Sequence, residues 1–155
     1  MFLYLVQHGE AKREEEDPSR SLSDKGREDV ERITSYVSRL NITVEEVLHS
    51  GKQRAKQTAE ILAESVKMTK GLSEADGLAP LDDPEKWAER LNNRTNPIML
   101  VGHLPHLGRL ASILLIGDKE KNIVAFKMGG IVCLKRDDEG KWTLQWMITP
   151  DIVPR

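Results

Sequence analysis

Cysteine occurs once in the 155 residues, at Cys133. A single thiol closes no intrachain disulfide, so the sequence carries no disulfide framework, and a reducing cytoplasm is the expected compartment. No run of 18 or more apolar residues is present, which excludes a transmembrane helix. The opening apolar stretch, Met1 to Val6, is only six residues long and has neither a basic segment before it nor a cleavage site after it; it does not read as a signal peptide. Neither sign of charge dominates: 23 Lys and Arg stand against 25 Asp and Glu, for a net charge of -2. The electrostatic footprint of a nucleic-acid binder is therefore missing, and so is a polybasic membrane anchor. Internal repeats, linkers and low-complexity segments are also absent.

What remains is a chain of one-domain length. A domain of this size hides roughly 70% of the surface its unfolded chain exposes, enough for a real core. Alternating strands and helices are predicted. Residues 2–7 form an apolar, β-rich run that stops at Gly9. A charged loop over 10–22 follows. Ser23 is a plausible N-cap, and Val30, Ile33, Val37 and Leu40 recur at helical spacing, which predicts a helix over 24–40. A second strand is expected at 44–49, broken by Gly51. Ala55, Ala59, Leu62 and Val66 mark one face of the next helix. Residues 69–83, with two glycines, Pro80 and several acids, read as a long surface loop. Pro84 opens a helix carrying Trp87, Ala88 and Leu91. Residues 98–101 are a continuous apolar run suited to a buried central strand. Pro105 starts a helix that stops near Gly117. A strand at 131–135, a turn at 138–140 and an alternating run at 142–148 predict a closing hairpin. The whole reads as one α/β domain.

Ligands of open α/β sheets bind at the carboxyl ends of the parallel strands. Three predicted strand ends carry polar groups: Gln7-His8-Gly9-Glu10, then His49-Ser50-Gly51, then Gly102-His103. The helix after the second opens with Lys52, Arg54 and Lys56 and has no acid before Glu60. Helix N-termini favour anions, so cations there are unfavourable unless an anion sits among them. A helix N-terminus with Arg54 makes a phosphate or oxyanion site. His103 and His106 form an H-x-x-H pair, a weak metal signal given Pro105 and the lone cysteine. His49 reads as structural, and His106 as a packing or rim residue.

These segments resemble the histidine phosphatase superfamily (phosphoglycerate mutase-like), and within it the small SixA-type phosphohistidine phosphatases. The resemblance rests on Gln7-His8-Gly9-Glu10-Ala11, Arg20-Ser21-Leu22-Ser23-Asp24-Lys25-Gly26, the Arg54 to Ala59 stretch, Leu78-Ala79-Pro80, Val101-Gly102-His103-Leu104-Pro105, and the ending from Gly129 to Pro150. Each motif alone is weak; their order and spacing are specific. The resemblance implies a three-layer α/β/α sandwich with a mixed, mostly parallel central sheet, built as a single domain over 1–155. It implies that His8 is the nucleophile and forms a phosphohistidine intermediate. Arg54 and His103 would surround the phosphoryl oxygens, with Arg20 as a further phosphate contact. No metal or organic cofactor is implied. The expected partner is a histidine-phosphorylated protein domain or a small phosphoester, with inorganic phosphate as product.

Gln7 departs from the pattern, because the family has Arg there. A neutral amide makes weaker hydrogen bonds to an oxyanion than a charged guanidinium does. Gln7 is therefore expected to keep part of a phosphate contact and to slow the reaction. It also motivates an alternative, a weakened module that binds phosphate or phosphoproteins without turning them over. The general acid is open among Glu74, Asp76 and Glu10, with Asp17 a further candidate. The run Glu14-Glu15-Glu16-Asp17 reads as a solvated loop; the alternative is that it repels small polyanionic substrates and so favours a protein substrate.

Overall fold

The computed structural model describes residues 1–154; Arg155, the last residue of the expected domain, lies outside the described residues. The described residues form four helices and six strands, one strand more than anticipated: β1 (Phe2–Gln7), α1 (Asp24–Val37), β2 (Thr43–His49), α2 (Gln53–Ala63), β3 (Lys67–Glu74), α3 (Pro84–Asn92), β4 (Ile98–Gly102), α4 (His106–Ile116), β5 (Ile131–Arg136) and β6 (Trp142–Ile148). The sheet order is β3-β2-β4-β1-β5-β6. The first four strands pair in parallel, and β5 and β6 add on as an antiparallel hairpin. This is the mixed, mostly parallel sheet of the expected three-layer sandwich.

The apolar runs explain the layers. Buried on both faces, β1 and β4 are continuous rather than alternating. Leu3, Leu5, Ile98 and Leu100 pack with Trp87, Leu91, Leu107 and Leu110 of α3 and α4. Their neighbours Tyr4, Val6, Met99 and Val101 pack on the opposite face with Val30, Ile33, Ala59 and Leu62 of α1 and α2. Cys133 is free and buried in that second core, where burial pushes its thiol up to about 12. Steps leftward in the sheet (β1 to β2, β2 to β3) use helices on one face. The step back (β3 to β4) uses the other, as a constant crossover handedness requires.

Four expectations need correction. Residues 67–74 form an edge strand, not a loop. β3 pairs only with β2, so one of its edges is unpaired; its residues are mostly polar, and Gly71 sits at φ +90°. An edge strand of that kind has no apolar rhythm to read. The helical run at 24–40 ends at Val37 and tightens into a 3-10 turn over Ser38–Leu40. Val66 lies beyond the end of α2 and packs into the core from the turn that follows. Pro105 is the N-cap of α4, which begins at His106 and stops at Gly117 in the left-handed conformation. Among the described residues, no helix is long and apolar enough to cross a membrane.

Ser23 caps α1 by accepting from the Gly26 amide at 3.0 Å, while its own hydroxyl donates to the Glu10 carboxylate at 2.6 Å. Gly26 sits where a Cβ would lie 2.0 Å from the Glu10 carbonyl oxygen. Helix propensity alone favours Gly26→Ala by about 1 kcal/mol. The backbone collision outweighs it, since overpacking costs about 1–3 kcal/mol or more. Gly26→Ala is expected to lower the urea midpoint with an unchanged m-value; a raised midpoint would refute the close approach.

Candidate active site

At the carboxyl end of the sheet, β4 is flanked by β2 and β1. Both flanking strands exit toward α1 and α2 on one face, whereas β4 exits toward α4 on the other. Adjacent parallel strands that part in this way leave a crevice. His8 follows β1, His103 follows β4, and Ser50 and Arg54 follow β2. The last β-type bond of the β1–β4 pair runs from the His8 amide to the Gly102 carbonyl at 3.0 Å. It places the two imidazoles with ring centroids 5.0 Å apart.

His8 is half-buried, and its Nδ1 lies 2.6 Å from the Gly9 carbonyl oxygen. A carbonyl only accepts, so Nδ1 carries the proton and Nε2 keeps its lone pair. Burial lowers the His8 pKa to about 4; the Arg54 and Arg20 charges push the same way, against the Gly9 bond. His103 is almost fully buried and sits lower still, at about 3, through burial first and then His8 and Arg54. Its Nε2 lies 2.7 Å from Ser50 Oγ, and its buried Nδ1 has no protein partner.

Arg54 occupies the first turn of α2, whose N-terminus has no side-chain cap and no acid. Its Nε is buried without a partner, and burial together with the Arg20 charge lowers its pKa. Arg20 reaches the same place from the loop over 10–22. It adopts φ +49°, a left-handed conformation unusual for a residue with a side chain, and its Nε donates to the Lys12 carbonyl at 3.1 Å. Asp17 organises that turn. Its carboxylate accepts from the Ser19 amide, the Ser19 hydroxyl, the Ser21 amide and the Ser21 hydroxyl. Those bonds hold it well below the usual carboxylate range, so it stays ionised and does not serve as an acid. The run from Glu14 to Asp17 thus ends in a structural clasp, not in a merely solvated side chain.

The Arg54–Ala59 stretch acquires a physical meaning here. Gln57 Oε1 accepts from the Leu22 amide at 2.7 Å, and Thr58 Oγ1 accepts from the Gly9 amide at 3.0 Å. Two successive side chains of α2 therefore tie down the Arg20 loop and the His8 turn, while Arg54 projects one turn earlier. The Gly129 amide straps the other side of the turn, bonding the Gln7 carbonyl at 2.9 Å and the His8 carbonyl at 3.2 Å. Sequence reasoning assigned no site role to Ser50, Gln57, Thr58 or Gly129; the signals present were the strand-end position of Ser50 and the motifs that contain the other three.

The remaining candidates separate. Gln7 is nearly buried at the end of β1, and its Oε1 has no partner. Glu10 is engaged with Ser23 at the start of α1. Asp76 is exposed, and its carbonyl accepts from Trp87 Nε1 at 2.9 Å, tying the loop to α3. Glu74 ends β3 beside His49, and its carboxylate lies against Gly51, where an added Cβ would come within 2.6 Å of its Cδ. Of the three acids, Glu74 is the one carried onto the Ser50-Gly51 turn. His49 is buried, and its Nδ1 accepts from the Gly51 amide at 3.0 Å, a structural role. His106 is fully buried with both ring nitrogens unpartnered. Among the described residues, no group of three or more His, Cys, Asp or Glu side chains is arranged to hold a metal ion.

All four histidines have lowered pKa values, each with burial as the leading cause. The unfolded chain binds protons near pH 6.5 that the folded chain refuses. Stability is therefore expected to fall as pH drops from about 6.5 through about 4, read as a declining urea midpoint. In NMR titrations the His8 ring is expected to stay neutral to below pH 5; a midpoint near 6.5 would contradict the buried neutral imidazole.

Comparison with known proteins agrees with this geometry. A family model described as histidine phosphatase superfamily (branch 1) matches residues 3–98. The chain is 24% identical over 155 residues to the phosphohistidine phosphatase SixA of Escherichia coli, covering 97% of this chain and 94% of that one. It is 33% identical over 142 residues to an uncharacterized protein of Picosynechococcus, covering 87% and 85%. The solved structure of the protein histidine phosphatase SixA complexed with tungstate superposes with a TM-score of 0.84 at 22% identity, over 97% of this chain and 98% of that one. With paired imidazoles at the β1–β4 crevice and a family match spanning well over half its length, the chain belongs to the histidine phosphatase superfamily.

Proposed function

We propose that this protein is a phosphatase that removes phosphoryl groups from phosphohistidine in proteins, through a phosphohistidine intermediate on His8. The observation that carries the reading is the pair of neutral imidazoles 5.0 Å apart, one offering a lone pair at Nε2, flanked by the Arg54 and Arg20 cations. His8 Nε2 attacks phosphorus, and the substrate's P–N bond breaks as its imidazole takes up a proton. Water then adds to phosphorus. The Nε2–P electron pair returns to His8, and dihydrogen phosphate departs and loses a proton to solvent. Charge spread over the phosphoryl oxygens is met by Arg54, Arg20 and His103, with the free N–H groups at the start of α2 behind them. Imidazole leaves readily once protonated, so a protein phosphohistidine makes a small demand on a general acid; Glu74 is the carboxylate placed to supply one to a poorer leaving group. SixA, the relative of like length, is named for this substrate, and its structure with tungstate shows that a protein of this fold binds a tetrahedral oxyanion. The protein acts in the cytoplasm on this reading, with no metal or organic cofactor.

The second reading, a phosphate- or phosphoprotein-binding module, is favoured by one observation: Gln7 places a neutral side chain, with Oε1 unpartnered, where the family has Arg. A lost charged donor costs about 3 kcal/mol, or 10²–10³ in rate, and Gln restores part of it. Phosphate release from a phosphohistidine protein and from p-nitrophenyl phosphate separates the two. Wild type is expected to turn over and to carry an acid-labile phosphoryl group on His8 after rapid quenching, while His8→Ala falls to background. Equal background in both would leave the binding module. Gln7→Arg is expected to raise kcat by about tenfold or more, and an unchanged rate would show that Gln7 causes no deficit.

A further inference from the structure

We propose that Ser50 is a positioning residue that fixes the tautomer of His103, so that His103 presents an N–H rather than a lone pair to the phosphoryl group. The role of His103 rests on the phosphatase reading above; the tautomer does not.

The argument is a count of protons. Ser50 Oγ lies 2.7 Å from His103 Nε2 and accepts from the Lys52 amide at 3.3 Å. A hydroxyl has one proton to give. The Lys52 amide brings its own proton, so that contact uses a lone pair of Oγ. Among the described residues, the one protein acceptor that meets the Ser50 hydroxyl is His103 Nε2. Nε2 is then the bare nitrogen, and the ring proton sits on Nδ1. That Nδ1 is buried and has no protein partner, on a ring whose centroid is 5.0 Å from that of His8. With the opposite tautomer, a bare lone pair would be buried at Nδ1 with no donor to meet it. The proton of Ser50 would in turn lack a protein acceptor among the described residues.

The two histidines are then set alike but used oppositely. In each, Nδ1 holds the proton. His8 spends that proton on the Gly9 carbonyl and offers Nε2 to phosphorus. His103 spends Nε2 on Ser50 and offers the Nδ1 proton to oxygen. The backbone of the β2–α2 turn enforces the arrangement: the Lys52 amide that starts α2 orients Ser50, which lies directly after β2.

The test reads the tautomer directly. Two-bond nitrogen–proton spectra of the histidine-labelled protein at pH 7 are expected to show His103 with Nδ1 protonated and Nε2 bare. Ser50→Ala should move those nitrogen shifts toward a mixture of tautomers, and Ser50→Thr, which keeps the hydroxyl, should restore them. Turnover of a phosphohistidine protein should follow: kcat down by about 10–100-fold in Ser50→Ala with KM little changed, and within a few-fold of wild type in Ser50→Thr. Unfolding midpoints of both variants serve as the folding control. A wild-type spectrum with Nε2 protonated overturns the proposal, as does a folded Ser50→Ala protein that keeps the wild-type tautomer, whatever its rate. If wild type shows the Nδ1 proton but no turnover, the phosphatase reading fails and the tautomer assignment stands. Should Ser50→Ala not fold, Ser50→Thr and the wild-type spectrum still decide.

Discussion

The site depends on one pairing, that of β1 with β4. Their parallel register brings Gln7 opposite Gly102, and the two chains then leave the sheet toward opposite faces. The backbone bond from His8 to the Gly102 carbonyl holds the first histidine at the lip of the crevice while the second drops beneath it. The two apolar cores serve this geometry by pressing helices onto both faces of strands with no exposed side of their own. The strands deliver the histidines, and α2 delivers the charge and fastens the loops.

The fold was legible wherever burial imposes a rhythm. Leu3 to Val6 and Ile98 to Val101 read as central strands because both of their faces are covered, and Val30, Ile33 and Val37 read as a helix because one face is. β3 was not legible. An edge strand whose residues are mostly polar and whose glycine takes a left-handed turn looks like a loop to any argument built on hydrophobic periodicity. The helix after β2 was legible for another reason: cations at a helix N-terminus are electrostatically odd, and Arg54 now stands with its Nε buried and unpartnered there.

The residues that hold the site in shape were harder to see. Gln57 and Thr58 sit in a helix interior, where a polar side chain ordinarily faces water or its own backbone, and only the folded chain shows them reaching Leu22 and Gly9. Asp17 looked like part of an acidic tract until its four hydrogen bonds set it apart from its neighbours. Ser50 had the right address and an anonymous chemistry. For Gln57, Thr58 and Ser50 the missing information was the partner's location, which lies tens of residues away along the chain; for Asp17 it was the tight fold of its own loop back onto Ser19 and Ser21.

Cys133 began as a sign of what the protein lacks. In the structure its thiol lies wholly within the core between the sheet and α1 and α2, and burial suppresses the thiolate. The thiolate is the reactive form, so electrophiles and oxidants find no thiol target while the chain is folded. Two folded copies cannot be joined through it. Every opening that frees β5 exposes that sulfur, and with it the chain's whole stock of thiol. The thiol of the native protein is thus shielded from redox conditions, and its sensitivity to them is a property of the unfolded chain.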